Sequence, residues 1–148
     1  MIDRTARDQL ADALRALASG LVSNDEFEDS RLPHSRNDAV IREVFSRGAW
    51  MLYSDTHEYR LAGKNKLDAL TKSEVARWVL FLKTDLRYEW PVYSMLQTLG
   101  MLLANVLTLG MANRIFIPRF ATHGDVDVWP FIRKADYEAA LQNPPYLR

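Results

Sequence analysis

The longest uncharged segment of the chain constrains the fold most. It covers residues 90–113 and reads WPVYSMLQTLGMLLANVLTLGMAN. About 20 apolar residues can cross a bilayer, so its length alone allows a membrane helix. On a helical wheel, however, its polar side chains share one arc roughly 100° wide: Ser94, Gln97, Thr98, Asn105 and Thr108. Because a narrow polar stripe beside a broad apolar arc suits a covered helix, we predict a core helix at about residues 92–112 rather than a membrane span.

Capping residues predict two helices at the start of the chain. Leucines recur at helical spacing and stop at Gly20, which predicts a helix over residues 5–19 with a left-handed glycine after it. Ser23 followed by Glu26 is a capping-box pattern and predicts a short helix over residues 24–30. The two helices would form an N-terminal hairpin.

Three more helices follow from similar signals. Ser35, with an acid three positions later, predicts a helix over residues 37–53. Thr71, again with an acid three positions later, predicts a helix over residues 72–88. A last helix is expected over residues 134–142, before an Asn-Pro-Pro sequence.

The segment after the uncharged helix has a different pattern. Residues 114–120 and 126–132 are rich in β-branched and aromatic side chains and could pair as a small hairpin. The predicted fold is therefore mainly α, a compact bundle of about five to six helices around the central apolar helix, with a small β-hairpin at about 114–132 as an optional addition. We expect one domain over 1–148, with residues 1–33 as a helical hairpin that packs on it or projects from it.

The N-terminal hairpin resembles a known motif. Within residues 10–30, the resemblance rests on a leucine pair, a glycine turn and an acid-Phe-acid start: Leu14, Leu17, Gly20, Leu21, Val22, Asp25, Glu26, Phe27 and Glu28. This pattern is similar to the SHOCT motif, a short bacterial helical hairpin. The resemblance implies a packing or oligomerisation hairpin without catalytic residues. The whole chain also resembles small uncharacterised bacterial proteins.

Composition excludes several classes of site. Nineteen basic and nineteen acidic residues give a net charge of zero, so no nucleic-acid partner is expected. The chain has no cysteine, which removes disulfides, thiolate metal sites and cysteine nucleophiles. Gly63-Lys64 lacks the spacing of a phosphate-binding loop, and we expect no cofactor. The first 20 residues have no apolar core of the signal-peptide type, which predicts a cytoplasmic protein.

The first candidate site is the sequence from His123 to Asp127. In an extended segment His123, Asp125 and Asp127 would point to the same side, where they could bind a divalent cation or pair as base and orienting acid. The competing interpretation is a polar turn with a solvated histidine, which we favour because only three ligands are offered.

The second candidate is a loop with several titratable groups. His57 and Glu58 lie in the sequence Asp-Thr-His-Glu-Tyr, and histidine is the side chain most easily tuned near pH 7. A catalytic pair at His57 and Glu58 is one interpretation, and a solvated loop is the other. The chain has no G-x-S-x-G nucleophile motif to support the first.

The third candidate is the corner before the uncharged helix. Asp85 and Glu89 are four residues apart, so we expect them to share one face near the C-terminal end of the helix predicted over 72–88, which the helix dipole disfavours. The functional interpretation is an acidic and aromatic contact patch formed by Asp85, Tyr88, Glu89 and Trp90. In the competing interpretation Tyr88 and Trp90 anchor the corner in the core and the acids are solvated.

These patterns favour a protein–protein interaction module, such as an adaptor, a regulator or an immunity-type inhibitor. Its partner would be another protein or a second copy of the chain. One alternative is a small hydrolase or metal-binding enzyme that uses His57 or His123 with nearby carboxylates. The other is a membrane-associated protein that attaches through residues 90–113.

Overall fold

The computed structural model describes residues 1–30, 38–90, 95–108 and 124–146. Its α-helices are α1 (Arg4–Ala18), α2 (Asn24–Asp29), α3 (Ala39–Glu43), α4 (Ala69–Leu82), α5 (Met95–Leu107) and α6 (Lys134–Gln142). A π-helical turn and three 3-10 turns lie between them: Val44–Gly48, Ala49–Met51, Gly63–Asn65 and Val126–Val128. Over these four ranges the chain forms no strand beyond an isolated bridge between Ser23 and Arg60. The predicted mainly α fold is confirmed.

The N-terminal hairpin forms through local capping, as predicted. The Asp3 side chain accepts a hydrogen bond from the Ala6 backbone N–H at the start of α1. Gly20 follows α1 with φ of +73°, and a side chain there would also meet the Ala62 Cβ at 3.0 Å. Ser23 and Glu26 make both bonds of a capping box at α2. The hairpin is thus set by short-range hydrogen bonds and one left-handed glycine.

The core lies where α1 packs on α4. One face of each helix is apolar and buried, and α3 and the residues after the last 3-10 turn close the sides. The most deeply buried side chains come from all of these segments: Leu10, Leu14, Leu17, Phe27, Val40, Val44, Phe81, Leu82 and Phe131. The N-terminal hairpin therefore packs on the rest of the domain through α1, which supplies part of its core.

A buried ion pair joins α1 to the start of α3. The Arg7 side chain is completely buried, and its Nε and Nη2 donate to the two carboxylate oxygens of Asp38 at 2.6 and 3.1 Å. Arg7 Nη1 also donates to the carbonyls of Thr84 and Leu86, just beyond α4. The guanidinium lies 5.5 Å from the centre of the Phe81 ring. This buried charge thus contacts four acceptor oxygens and one aromatic face.

Helix α4 begins and ends earlier than predicted. Asp68, rather than Thr71, is its N-cap, and the Asp68 carboxylate accepts from the Thr71 N–H at 2.7 Å. At the other end, Arg4 donates to the carbonyls of Leu82 and Thr84. Because α1 supplies these donors, the carbonyls do not need a continuing helix, and the chain is irregular from 84 to 90 instead of helical to 88.

The helix predicted over 37–53 forms as three consecutive helical segments of different type. It begins as α3 at Ala39, continues through a π-helical turn and ends as a 3-10 turn at Met51. Asp38 is the N-cap, but its carboxylate makes no capping bond because it pairs with Arg7. The predicted cap, Ser35, lies outside the described residues.

Two predictions about the second half are wrong. Helix α5 does not form the centre of the bundle, since Leu99, Leu102, Leu103, Val106 and Leu107 are exposed while side chains of α1, α3 and α4 lie in the core. Residues 126–132 form a 3-10 turn and a Trp129-Pro130 turn rather than a strand, because Asp125 caps the 3-10 turn and a proline follows it. The other half of the predicted hairpin, 114–123, lies outside the described residues. Among the described helices, none is long and apolar enough to cross a membrane.

Candidate functional site

The loop that carries His57 is fastened to the N-terminal hairpin by one asparagine. Asn24 is 1% exposed, and its Nδ2 donates to the carbonyls of Ser54 and His57 at 3.1 and 3.0 Å. Its Oδ1 accepts from the Tyr59 N–H at 2.7 Å. One side chain therefore satisfies three backbone groups of a loop about 30 residues away in sequence.

The side chains of His57 and Glu58 are not brought together by a hydrogen bond. The His57 ring is exposed, stacks on Tyr59 with centroids 5.0 Å apart, and has Nδ1 3.1 Å from the Thr56 hydroxyl. The Glu58 carboxylate instead accepts from the Ser23 hydroxyl at 2.7 Å. This geometry corresponds to an exposed, hydrogen-bonded loop.

The predicted metal site is not extended where it is described. The Asp125 carboxylate accepts from the Asp127 N–H at 3.1 Å and caps the 3-10 turn, while the Asp127 side chain is exposed. His123 lies outside the described residues. Over the parts of the chain that the structure describes, no three His, Asp or Glu side chains lie close enough to hold one metal ion.

The acidic and aromatic corner is divided between core and solvent. Trp90 is 7% exposed, and its indole N–H donates to the carbonyls of Pro130 and Phe131. Half-buried Tyr88 accepts from the Trp129 indole N–H at 3.2 Å, and burial raises the pKa of its hydroxyl, although the bond from Trp129 opposes the shift. The prediction that Trp90 belongs to an exposed contact patch is wrong, because its ring and its N–H are both used inside the domain.

The two acids of this corner point to solvent and share no helix. Asp85 accepts from the Tyr146 hydroxyl at 2.7 Å and lies 4.0 Å from the Arg4 guanidinium, and Glu89 is exposed. The predicted pair of carboxylates on one helix face is wrong, because α4 ends at Leu82.

Three tryptophans form the wall of a cavity that we call the tryptophan cavity. It has a volume of about 520 Å³ and lies between the turns after α3, the first half of α4 and the 3-10 turn at 126–128. Its described lining is mainly apolar and includes two arginines and one acid: Arg47, Met51, Leu52, Thr71, Glu74, Arg77, Trp78, Trp90, Val126 and Trp129. Gly124 supports this wall, since a Cβ there would lie 2.8 Å from the Trp90 ring.

The indole N–H groups of the cavity differ in their partners. Those of Trp90 and Trp129 donate to protein oxygens. The N–H of Trp78 is buried and has no hydrogen-bond partner in the described part of the chain. The whole residue is only 5% exposed. A buried donor without an acceptor is uncommon, and this one belongs to a residue that lines the cavity.

A smaller cavity of about 120 Å³ lies beside α2. Glu28, Trp50, Tyr53 and Asp55 line it. The Tyr53 hydroxyl is buried and has no hydrogen-bond partner among the described residues. Burial raises the pKa of this hydroxyl, and the nearby Glu28 and Asp55 carboxylates raise it further. The phenol is therefore held in its neutral form.

Replacing Tyr53 with phenylalanine should flatten the alkaline loss of stability. The folded-state pKa of Tyr53 lies above the unfolded value of about 10, so the folded state holds this proton more tightly and stability falls as the pH rises past 10. We expect the Tyr53→Phe variant to be close to wild type in stability at pH 8, since the hydroxyl faces the Glu28 carboxylate without a well-formed hydrogen bond. Urea unfolding at pH 8 and pH 11 measures both effects. Equal losses of unfolding free energy in the two proteins would contradict the prediction.

Helix α5 presents a continuous apolar face to solvent. Five large side chains share this face and are between 52% and 83% exposed: Leu99, Leu102, Leu103, Val106 and Leu107. They recur at intervals of three and four residues, which places them on one side of the helix. We call this surface the α5 face.

Sequence reasoning missed the tryptophan cavity, the Arg7–Asp38 pair and the exposure of the α5 face. Arg7 carried a usable signal, since it falls on the same helical stripe as Leu10 and Leu14. The cavity carried none, because Trp78, Trp90 and Trp129 meet only in the folded chain.

Comparisons with protein-family models, curated proteins and solved structures found no significant match to this chain. The resemblance of residues 10–30 to the SHOCT motif therefore stays a prediction.

Proposed function

We propose that the chain is a protein-binding module and that the α5 face is its contact surface. The observation that carries the proposal is the exposure of five contiguous large apolar side chains on one helix. Soluble proteins rarely leave such a patch uncovered, and patches of this kind mark sites of association. An adaptor, a regulator or an immunity-type inhibitor would each use such a surface.

The chemistry of α5 suits a groove on another protein better than a bilayer. Thirteen residues extend about 20 Å as a helix, which is shorter than a hydrocarbon core of about 30 Å. Helices that lie on membrane surfaces usually carry lysine and arginine on their polar side, and residues 95–107 include neither. Leu99, Leu103 and Val106 have the spacing by which an amphipathic helix inserts into an apolar groove.

The binding should depend on apolar contact and not on charge. Because α5 has no charged residue, raising the salt concentration should change the affinity little. The proposal includes a cytoplasmic location, with which a chain free of cysteine is compatible.

Photo-crosslinking from the α5 face tests the proposal. A photoreactive phenylalanine analogue at position 103 should give adducts with one protein species in cells, and mass spectrometry would identify it. The same group at Leu70, which is 79% exposed on α4, is the matched control and should give none of that adduct. In a binding assay with the identified protein, Leu103→Lys should weaken affinity about 30-fold or more, and Leu70→Lys should have little effect.

Sedimentation velocity distinguishes a second copy of the chain from a different partner. A dimer that Leu103→Lys dissociates would identify the partner as a second copy. A monomer at all concentrations, together with no adduct from position 103, would overturn the proposal.

A further inference from the structure

We propose that the tryptophan cavity binds a small aromatic carboxylate. This site is separate from the α5 face, and its ligand is a small molecule rather than a protein. Its volume of about 520 Å³ lies within the range of roughly 300 to 1,000 Å³ that is usual for small-molecule sites.

The walls of the cavity favour a flat aromatic ligand. Trp78 and Trp129 meet edge to face, with centroids 5.9 Å apart and an interplanar angle of 75°. Hydrogen bonds hold two of the three indoles in place, from Trp90 to the Pro130 carbonyl and from Trp129 to the Tyr88 hydroxyl. Rigid aromatic walls offer stacking and edge contacts without a large loss of side-chain entropy.

The unused hydrogen-bonding groups favour an acceptor on that ligand. Arg77 donates from Nε to the Trp129 carbonyl at 2.9 Å, which fixes its side chain, and it makes no ion pair within the described ranges. Its remaining guanidinium N–H groups are suited to a carboxylate. The Trp78 N–H also lacks a partner in the described part of the chain, but it is covered by protein atoms. Arg77 is therefore the donor that carries the inference, and Trp78 contributes an aromatic wall.

The charged residues around the cavity favour a ligand with a single negative charge. Arg47, in the turn after α3, also lines the cavity, but its Nε is paired with a Glu43 carboxylate oxygen at 2.9 Å. It should therefore attract a ligand anion less strongly than Arg77 does. Glu74 is exposed, makes no ion pair among the described residues and would repel an anion. Glu74 should therefore limit the affinity, and its neutralisation should increase it.

A titration with 2-naphthoate, followed by ¹⁵N–¹H NMR, tests this inference. The protein has four tryptophans, and Trp78→Phe would assign the Trp78 indole signal among their four side-chain peaks. We expect 2-naphthoate to shift the Trp78 signal saturably. The neutral analogue 2-naphthamide should bind about tenfold more weakly or worse, because it lacks the charge that Arg77 would meet.

Charge variants provide the controls. Arg77→Gln should lower the affinity for 2-naphthoate about tenfold or more, and Glu74→Gln should raise it. Arg87 is exposed and lies outside the cavity lining, so Arg87→Gln should leave the affinity unchanged. If Arg77→Gln lowers the melting temperature, Arg47→Gln provides a second test from the opposite wall. No saturable shift at millimolar 2-naphthoate, or equal binding of the acid and the amide, would overturn the inference. Leu103→Lys should leave this binding intact, which separates the inference from the proposed function.

Discussion

Replacing Arg7 with methionine should destabilise the protein by about 3 to 5 kcal/mol. The change leaves the buried Asp38 carboxylate without its cation, and Asp38 is only 4% exposed. The carbonyls of Thr84 and Leu86 also lose a donor. Removing one member of a buried ion pair costs far more than the pair contributes, because the remaining charge stays desolvated.

Urea unfolding followed by circular dichroism measures this effect. Arg15→Met is the matched control. Arg15 is on the same helix, its side chain is 45% exposed, and among the described residues its ion pair is with Asp12, so its loss should cost less than about 1 kcal/mol. The double variant Arg7→Met with Asp38→Leu should recover part of the loss, because it removes both charges together. A cost below about 1 kcal/mol for Arg7→Met would contradict this account of the core. If that single variant does not fold, a folded double variant would support it and an unfolded one would not.

Replacing Asn24 with aspartate should be the other severe change, with a cost of about 3 kcal/mol. The two side chains have nearly the same shape, so no cavity forms. The variant lacks the two N–H groups that now donate to the carbonyls of Ser54 and His57, and it places a carboxylate about 3 Å from both oxygens. A destabilised loop would follow.

The pH dependence of this variant provides a second test. A buried carboxyl facing two carbonyls should have a raised pKa, since its protonated form can donate one hydrogen bond. A raised folded-state pKa means that stability falls as the pH rises, so the deficit should be smaller at pH 5 than at pH 8. Asn143→Asp, on an exposed residue after α6, is the control. A deficit that is equal at the two pH values would contradict the assigned hydrogen bonds.

The sequence predicts well what short-range contacts determine. The hairpin of α1 and α2 depends on Asp3, Gly20 and Ser23, whose partners are within a few residues. Helix α6 covers Lys134–Gln142, the same residues as the predicted helix. The mainly α fold follows from such signals.

The prediction failed where a distant residue decides the outcome. Helix α4 ends at Leu82 because Arg4 and Arg7, about 75 to 80 residues earlier, bind the carbonyls that follow. Asp38 could not be recognised as a buried partner from its neighbours. The uncharged segment seemed to be the core because it is the most apolar, but the described core is built mainly from α1, α4 and the segments that pack beside them.

The acidic and aromatic corner was predicted wrongly for a similar reason. The sequence around Trp90 indicates an exposed aromatic residue beside acids. In the structure its indole N–H donates to the carbonyls of Pro130 and Phe131, about 40 residues later in the chain. Trp78 and Trp129, which together form part of the tryptophan cavity, are 51 residues apart in the sequence. Local patterns identify clusters of titratable residues. Where the structure describes them, His57 and Glu58 lie in an exposed loop and Asp125 caps a 3-10 turn.

The packing of α1 on α4 has a consequence for synthesis on the ribosome. The chain is made from its N-terminus, so the apolar face of α1 emerges about 50 residues before α4 begins at Ala69. An isolated helix of 15 residues is marginal in water, so α1 has no stable structure of its own during that interval. Its leucines Leu10, Leu14 and Leu17 are exposed to chaperones or to neighbouring nascent chains until α4 follows. The packing of α1 is thus completed only after α4, much later in the chain, has been translated.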